Sequence, residues 1–229
     1  MQVTDARPEH RDALRALCRK TSRSRPIAPV AEDPELAPRL HLDAYLELEP
    51  RACLVALEGD RVVGYVVGTA RTTEFRLRAA RWHRRRLPSL LAHCAGGLFR
   101  GRYRSAAGRR ALLRTLVGMA RGRYGLGSGH DERADPAVYS AHCHLQVDPD
   151  QSNPRVGLAL LTAHRARLRE LGATGQVAAV IEREGAEGYS RLVRALGFEE
   201  LSCRRVTRAE LPTLLDDGVW LDRVLVRRF

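Results

Sequence analysis

The stretch HCHLQVDPDQSNPRVGLALLTAHRARLRELGA, residues 142–173, decides the fold. A short apolar strand runs into a polar turn, and the turn opens directly into an amphipathic helix whose apolar residues follow i, i+3, i+4 spacing. Gly157 and Ala159 are small residues at the mouth of this helix, where backbone N–H groups and the positive end of the helix dipole suit a phosphate. The alternative is a plain strand-to-helix turn that Ser152 or Asn153 caps.

Outward from this stretch, strands and helices alternate along the chain. The first 50 residues predict a short strand and two helices, the second around RLHLDAYLEL at residues 39–48. Two apolar strands lie in RACLVALEGDRVVGYVVGTA, residues 51–70, and the turn sequence Glu58-Gly59-Asp60 joins them into a hairpin. After residue 173 come the strand GQVAAVIE, the helix GYSRLVRALGF and the strands ELSCRRV and VWLDRVLVRRF. This alternation predicts an α/β protein with part of its sheet parallel.

An arginine-rich segment interrupts the pattern. The chain has 229 residues and a net charge of +12, and residues 71–123 alone hold 15 arginines and a single acidic residue, Glu74. The apolar spacing in RRALLRTLVGMARGRYG predicts helix, so we interpret residues from about 72 to 137 as a helical insertion in one domain spanning residues 1–229. The charge indicates either a site for a polyanion or the arginine usage of a GC-rich genome.

Composition indicates the redox state of the cysteines and the expected cellular location of the protein. The five cysteines are scattered and form no CxxC pair, which favours reduced thiols and argues against a zinc ribbon or a disulfide framework. The N-terminus lacks a secretory apolar segment, and the longest apolar run, LPSLLAHCAGGLF, is shorter than the roughly 18 residues of a membrane span. We therefore expect a cytoplasmic protein without a membrane partner.

The order of these elements resembles the GNAT superfamily of N-acyltransferases. The resemblance is carried by the hairpin of apolar strands, the strand ending in Val-Asp-Pro, the small-residue helix mouth and the helix ending in RALGFEE. It covers roughly residues 2–70 and 138–229, and YSAHCHLQVDPDQ is most similar to the branch that includes the acetyltransferase-like domain of O-GlcNAc hydrolases. It implies the GNAT-like acyl-CoA N-acyltransferase fold, in which a mixed central sheet is splayed in the middle and flanked by helices.

The resemblance also implies a place for acetyl-CoA, or another acyl-CoA, as cosubstrate. Its pantetheine arm would pair with the strand backbone at Leu145, Gln146 and Val147, where an N–H group would polarise the thioester carbonyl. Its pyrophosphate would bind the amides of the following turn. The binding residues expected there are Asn153, Arg155, Val156, Gly157, Leu158 and Ala159.

The turn departs from the family pattern, which is Gln/Arg-x-x-Gly-x-Gly/Ala. Only Gly157 and Ala159 match this pattern. Pro154 stands at the first position and removes an amide donor, and Arg155 stands where a glycine is usual. Arg155 adds a cation, which either replaces the missing donor or blocks the close approach of a ligand.

Candidates for proton transfer lie near the ends of the strands. Family members place a Tyr four residues before the Gly of the GF pair to protonate the departing thiolate, but Val193 stands there and Tyr189 lies one turn earlier. The candidate bases that would take the proton of the amine are His142, His144, Asp148 and Glu182. Of these, His144 and Glu182 are the expected catalytic residues, with water as the alternative. His142 shares a strand face with His144, yet two histidines at i, i+2 are weak evidence for a metal, and we predict none.

Three functions follow, in the order in which the sequence favours them. The first is direct transfer of an acetyl or other acyl group from CoA to the amine of a small molecule, such as an intermediate of antibiotic or other secondary metabolism. The second is a degenerate GNAT-like protein that binds a partner without turnover or uses another donor, such as an aminoacyl-tRNA. For this second function the insertion is the feature that would favour RNA, since Trp82, Tyr103 and Tyr124 are interleaved with its cations. The third is a plain nucleic-acid-binding module, which ranks last because no recognised DNA- or RNA-reading motif appears in the sequence. Monomer and homodimer remain equally open.

Overall fold

The computed structural model describes residues 1–23, 30–121, 133–151, 153, 155–207 and 218–229. The helices in these ranges are α1 (Arg11–Arg23), α2 (Asp43–Leu48), α3 (Thr72–Phe99), α4 (Ala106–Ala120), α5 (Arg155–Glu170) and α6 (Gly188–Ala195). The strands are β1 (Gln2–Asp5), β2 (Cys53–Glu58), β3 (Arg61–Thr69), β4 (Ala141–Val147), β5 (Gly175–Arg183), β6 (Glu199–Val206) and β7 (Trp220–Arg228). A π-helical turn, Pro38–Leu42, leads directly into α2.

The strands form one mixed sheet in the order β1-β2-β3-β4-β5-β7-β6. Every neighbouring pair is antiparallel except β4 and β5, which run parallel. The predicted α/β architecture is confirmed, and its parallel part is limited to this one junction between an antiparallel half formed by β1 to β4 and another formed by β5 to β7.

The hairpin predicted at residues 51–70 consists of β2 and β3. Gly59 has a φ of +59° in the connecting turn, a conformation that glycine adopts without a steric penalty. Alternate side chains of the hairpin enter two separate cores. Val55 and Tyr65 join a cluster with α1, α2 and α3, whereas Leu54 and Val66 join a cluster with α5. The two faces of the sheet are therefore both covered by helices.

The arginine-rich insertion is helical in its described part, as predicted. Helix α3 buries Phe75 and Leu90 in the same core as α1 and α2, and α4 begins at Ser105, whose side chain accepts a hydrogen bond from Gly108 N. No helix in the described ranges is long and apolar enough to cross a bilayer.

A buried carboxylate joins the insertion to the segment before α2. Asp33 is 1% exposed and accepts hydrogen bonds from Tyr103 Oη at 2.6 Å, His93 Nε2 at 2.9 Å and Arg102 Nη1 at 3.1 Å. Burial alone would raise the pKa of Asp33, but these three donors outweigh it and lower the pKa. The charged carboxylate therefore holds the insertion against the body of the protein.

The aromatic residues that suggested RNA binding are not on the surface. Trp82 and Tyr103 are buried in the core cluster, and the guanidinium of Arg86 lies 3.9 Å from the centroid of the Trp82 ring. Neither ring therefore offers a face on which a base could stack. Tyr124 and most of the glycine-rich loop lie outside the described residues.

Helix α5 covers the face of the sheet opposite to α1 and α3. Gly68 of β3 permits a close approach, since a Cβ there would lie 2.4 Å from the His142 carbonyl oxygen and 2.7 Å from His164 Cε1. His164 is completely buried and donates from Nε2 to the Ala52 carbonyl oxygen at 3.1 Å. Its buried Nδ1 has no partner among the described residues, and burial lowers the pKa of His164 to about 4.

Candidate functional site

Strands β4 and β5 separate almost as soon as they meet. They pair only through Ala141 with Gln176 and His142 with Val177, whereas β4 stays paired with β3 as far as Val147. Over the described length of both strands, residues 143–147 of β4 therefore keep a backbone edge that β5 does not cover. This confirms the splayed sheet, and the uncovered edge offers N–H and C=O groups to a ligand.

One face of β4 carries a hydrogen-bonded chain of polar side chains. Tyr45 Oη lies 2.6 Å from His142 Nε2 and 3.1 Å from His144 Nε2. The other ring nitrogen of His142, Nδ1, lies 2.8 Å from Thr72 Oγ1. Phe75 stacks on Tyr45 with ring centroids 4.3 Å apart. These contacts connect Thr72, on the insertion, to His144 at the splayed edge.

The side chains of this network differ in solvent exposure. Tyr45 is completely buried and His142 is 7% exposed, whereas His144 is exposed. The ring centroid of His41 lies 6.5 Å from that of His144. A buried hydroxyl and imidazole behind an exposed imidazole orient that ring through hydrogen bonds. His144 is therefore the member of the network that a substrate in the opening can contact.

The opposite face of β4 carries Cys143, which lies between β5 and α6. Gln176 Nε2 donates to Cys143 Sγ at 3.0 Å, and Tyr189 of α6 hydrogen-bonds to the same sulfur. Burial raises the pKa of Cys143 to about 12, so the thiol stays protonated at neutral pH and is a poor nucleophile. Burial and the neighbouring Cys143 also raise the pKa of Tyr189, so its hydroxyl is protonated at neutral pH.

Glu182, the second candidate base, lies near the end of β5 and is 7% exposed. Its carboxylate accepts a hydrogen bond from Ser190 N at 3.3 Å and lies 3.4 Å from Arg223 Nε. These contacts tie the first turn of α6 to β5 and β7, and so they hold Tyr189, the residue before Ser190. Proton transfer by Glu182 itself stays a prediction.

The turn before α5 is described only in part, and Ser152 and Pro154 lie outside the described residues. Asn153 caps the helix, because its Oδ1 accepts a hydrogen bond from Arg155 N at 3.0 Å and its carbonyl oxygen accepts one from Val156 N at 3.3 Å. Two amides that the resemblance assigns to a pyrophosphate thus have partners within the chain. The side chain of Arg155 is exposed at the helix mouth.

Gly157 lies in close contact with its surroundings. A Cβ at this position would lie 3.1 Å from Leu192 Cδ2, 3.5 Å from Leu145 Cδ2 and 3.7 Å from Val147 Cγ2. The missing side chain therefore lets the helix mouth approach both β4 and α6. Leu158 is 39% exposed. Of the other expected donor-site residues, Ala159 and Gln146 are partly buried.

An ion-pair network that the sequence did not suggest anchors the start of this turn. Lys20, the only lysine of the chain, lies 2.5 Å from both Asp148 Oδ1 and Asp150 Oδ2. Burial alone would raise the pKa of Asp148, but its hydrogen bond with Lys20 outweighs burial and lowers the pKa. The C-terminal part of α1 is thereby attached to the segment that follows β4.

The structure groups the predicted catalytic residues on two faces. Tyr189 and Glu182 lie close to each other beside α6, whereas His144 lies on the other face of β4 with Tyr45. Tyr45 was missed by sequence reasoning because it lies 97 residues from His142, its partner at the start of β4. The only local signal is its position one helical turn after His41, which has no meaning until the fold brings β4 alongside.

Comparison with solved structures finds likeness over the whole chain. SsHAT is 24% identical with a TM-score of 0.63, over 99% of this chain and 97% of that chain. A GCN5-related N-acetyltransferase from Kribbella flavida is 16% identical with a TM-score of 0.56, over 100% and 97%. The structure of yncA from Salmonella typhimurium with its cofactor acetyl-CoA is 14% identical with a TM-score of 0.55, over 99% and 92%.

No family model and no curated protein matches the sequence. At such low identities the likeness to solved structures establishes the fold alone, because one fold hosts many activities. The chain has the GNAT-like acyl-CoA N-acyltransferase fold, with a mixed sheet that is splayed between β4 and β5 and flanked by helices.

Proposed function

We propose that the protein is an acyl-CoA-dependent N-acyltransferase, which moves an acetyl or other acyl group from CoA to the amine of a small molecule by direct attack. The observation that carries the proposal is the opening between β4 and β5, with an exposed histidine on one face of β4 and a protonated tyrosine on the other. An amine that attacks a thioester must lose a proton, and the departing thiolate must gain one. The two faces of β4 supply one group for each task.

On the donor side, acetyl-CoA or another acyl-CoA would supply the acyl group as an activated thioester. The uncovered edge of β4 at Leu145, Gln146 and Val147 suits the pantetheine arm, and an amide of this edge would polarise the carbonyl. The helix mouth from Asn153 to Ala159 would hold the pyrophosphate. Arg155 is exposed there and would add a cation to the positive end of the helix dipole.

His144 is the proposed base. Its exposed ring would accept the proton of the amine, while Tyr45, itself bonded to His142, holds that ring in place. The N–C bond forms as the C–S bond breaks, and Tyr189 gives a proton to the sulfur. Glu182 would act by positioning α6, and its use as the base instead of His144, or the use of water, is the alternative.

The acceptor would bind on the face of β4 that carries His144, between the insertion and the first two helices. We expect a specialised amine, such as an intermediate of antibiotic or other secondary metabolism, because the turn and the tyrosine position both depart from the family pattern. The resemblance to the O-GlcNAc hydrolase branch, the cytoplasmic location, the single domain and the choice between monomer and homodimer remain predictions from sequence.

A second candidate function is a GNAT-like protein that has lost acyl-CoA chemistry, and that uses another donor such as an aminoacyl-tRNA or binds a partner without turnover. Two observations favour it. Asn153 already accepts the hydrogen bond of the Arg155 amide, and Leu192 lies against Gly157 where the helix mouth meets α6. Both contacts would have to change before a pyrophosphate could approach the helix in the usual way.

Isothermal titration with acetyl-CoA and with desulfo-CoA, at low and at moderate salt, separates the two functions. The proposed function predicts micromolar binding of both ligands that survives moderate salt, because contacts with backbone amides are screened less than exposed ion pairs. Arg155→Gln should weaken the binding of both ligands about twofold to fivefold, which corresponds to up to about 1 kcal/mol for one exposed ion pair.

Arg169→Gln is the matched control, since Arg169 lies at the other end of α5, roughly 20 Å away at 1.5 Å per residue. Equal losses in the two variants would show that general positive charge attracts the ligand and that the helix mouth does not. If the unaltered protein binds neither ligand, acyl-CoA chemistry is refuted and the second function is favoured. Binding of tRNA that falls steeply with salt would then identify the donor class.

A further inference from the structure

A cavity of about 220 Å³ lies between α1, the π-helical turn before α2, and the insertion helix α3. Its lining includes Arg15 from α1, Arg39 and Asp43 around the π-helical turn, and Trp82, His83 and Arg86 from α3. The cavity is therefore built from the same elements, the first two helices and the insertion, that the proposed function assigns to the acceptor.

Three arginines line the cavity, and two of them are paired within the protein. Arg15 pairs with Asp43, and Arg86 pairs with Glu47 at 2.7 Å. Arg39 differs from both, because its Nε is buried and has no hydrogen-bond partner in the described part of the chain. No described carboxylate forms an ion pair with Arg39 either.

The remaining lining does not compensate the charge of Arg39. Burial, with a smaller contribution from Arg86, lowers the pKa of His83 to about 4, so His83 is neutral at neutral pH. Asp43 is paired with Arg15 through Oδ2, and its Oδ1 lies 3.7 Å from Arg11 but has no hydrogen-bond partner among the described residues. A partly buried guanidinium without a counterion is unfavourable unless a ligand supplies one. Its planar fork of N–H donors matches two oxygens of a carboxylate or a phosphate.

One short segment of chain contributes side chains both to the cavity and to the surroundings of the β4 histidines. Arg39 and Asp43 line the cavity, whereas His41 and Tyr45, in the intervening positions, lie next to His144. At about 100° per residue, positions 39 and 43 lie on the opposite side of this segment from positions 41 and 45, so the helix itself separates the cavity from His144. The cavity is therefore distinct from the face of β4 that carries the histidines.

We propose that this cavity binds the carboxylate or phosphate group of a small molecule through Arg39. The inference goes beyond the proposed function, because the described residues that line the cavity come from α1, the segment around the π-helical turn and α3, and none of them comes from β4. About 220 Å³ is below the roughly 300 Å³ at which pockets begin to enclose a whole drug-sized ligand, so the cavity accommodates a small anion or the anionic end of a larger molecule.

Three amines of similar length test the proposal by direct binding. They are 4-aminobutyrate, 3-aminopropylphosphonate and butylamine, which carry a carboxylate, a phosphonate and no anion. The chain has two tryptophans, Trp82 in the cavity wall and Trp220 on β7, so a ¹⁵N-labelled sample gives two indole signals that Trp82→Phe assigns. We expect the two anionic amines to shift the Trp82 signal and butylamine to leave it unchanged, and their relative affinities distinguish a carboxylate from a phosphate ligand.

The variant Arg39→Gln should weaken binding of the preferred anionic amine at least about tenfold, as expected for the loss of hydrogen bonds to a charged group. Arg39→Lys should fall in between, because it keeps the charge and loses the planar fork. Arg110→Gln, on the exposed face of α4, removes the same charge elsewhere on the insertion and should leave the affinity unchanged. Circular dichroism and melting temperatures show whether each variant is folded.

The outcomes separate this inference from the proposed function. Anion binding that does not depend on Arg39, or equal shifts with butylamine, overturns the cavity assignment even if acetyl-CoA binds. Arg39-dependent anion binding by a protein that fails to bind acetyl-CoA supports the cavity and overturns acyl transfer.

Discussion

The two faces of β4 carry side chains of opposite character. On one face His142 and His144 belong to a chain of hydroxyl and imidazole groups that ends at an exposed ring. On the other face Cys143 and Tyr189 lie among the apolar side chains of α5 and α6. Because successive side chains of a strand point to opposite faces, the sequence His-Cys-His places these two environments one residue apart.

The difference indicates how one splayed strand could serve both halves of a transfer reaction. The polar face provides a group that can take up a proton and is in contact with solvent. On the apolar face burial raises the pKa of Tyr189, so its hydroxyl carries a proton at neutral pH. If this contrast determines the chemistry, a change on one face should not reproduce the effects of a change on the other.

The largest effect is expected for His144→Gln. We expect kcat/KM with acetyl-CoA and an amine to fall by about 10²- to 10³-fold at neutral pH, because a positioned base typically contributes this much. The remaining rate should rise steadily with pH up to the pKa of the amine, since only amine that is already deprotonated would react. A pH profile of kcat/KM measures both.

His10→Gln is the control, because His10 lies in the turn before α1 and its Nδ1 accepts a hydrogen bond from Arg7 N. It should keep the full rate. A loss smaller than about fivefold in His144→Gln, with an unchanged pH profile, would show that the polar face positions the substrate and takes no proton.

The second prediction uses His164, the buried histidine on the apolar side of the sheet. The pKa of His164 is about 4 in the folded protein and 6.5 when the ring is not buried. Between pH 4 and 6.5 the unfolded chain therefore binds more protons than the folded protein. The contribution of His164 to stability is therefore complete above about pH 6.5 and is lost as the pH falls toward 4. At about 1.4 kcal/mol per pKa unit the loss reaches about 3 kcal/mol.

His164→Gln should therefore flatten the dependence of the free energy of unfolding on pH between about pH 6.5 and 4, although the variant is less stable at neutral pH. Gln keeps a donor for the Ala52 carbonyl oxygen and does not titrate. Urea unfolding of both proteins across this pH range gives the comparison. Parallel curves would mean that His164 is already protonated in the folded state or that its environment opens in acid.

The third prediction compares two glycines of β3 on the α5 side. Gly68→Ala should lower the free energy of unfolding by about 2 kcal/mol, because the new Cβ would lie 2.4 Å from the backbone oxygen of His142. At Gly64 the nearest atoms are side-chain carbons of Leu160 and Val156, at 3.0 and 3.1 Å, followed by the backbone oxygen of Gln146 at 3.2 Å, so no atom lies as close as at Gly68. Gly64→Ala should cost less than about 1 kcal/mol, since alanine also loses less backbone entropy.

Denaturant titration of the two variants measures this difference. Because the clash at Gly68 pushes on the backbone that carries His142, Gly68→Ala should also lower acyl transfer in protein that is still folded. Equal and small effects from both substitutions would mean that α5 can move away from the sheet, and that the faces of β4 are less rigidly separated than the contacts indicate.

The fold could be predicted from sequence because its signals are local. The hairpin has glycine in its turn, and β4 and α5 each have a continuous apolar pattern that meets at a polar turn. Even the contrast between the faces of β4 follows from the alternation of His142, Cys143 and His144. These features need only residues that are close together in the chain.

The candidate site was predictable only in part, because most of its partners are distant in sequence. Nothing near β4 indicates that Tyr45 would lie between the two histidines, or that Lys20 would hold Asp148. The sequence allows capping by Ser152 or Asn153 as the alternative to a phosphate site at the helix mouth, and in the structure Asn153 is the cap. The cavity at Arg39 depends on three helices and leaves no pattern in any one of them.

The smallest effect is expected for Tyr189→Phe, which removes one hydroxyl and keeps the ring that packs beside Cys143. We expect kcat to fall about tenfold at pH 7, because the thiolate would depart without a proton. A thiol has a pKa of about 8.5, so above that pH the thiolate is stable in water and the variant should approach the unaltered protein. The ratio of the two kcat values across the pH range is the measurement, and Tyr139→Phe, on the far side of β5, is the control.

The direction of this pH dependence distinguishes the faces of β4. Loss of the base on the polar face slows the reaction most where the amine is protonated, and raising the pH restores the rate by supplying deprotonated amine. Loss of the acid on the apolar face leaves the amine step intact, and recovery at high pH then reflects the thiolate alone. Recovery of Tyr189→Phe should therefore follow the thiol pKa with every acceptor, whereas recovery of His144→Gln should move with the pKa of the acceptor chosen. If both variants recover at a pH that the acceptor sets, Tyr189 has only a packing role, and all proton transfer belongs to the histidine face.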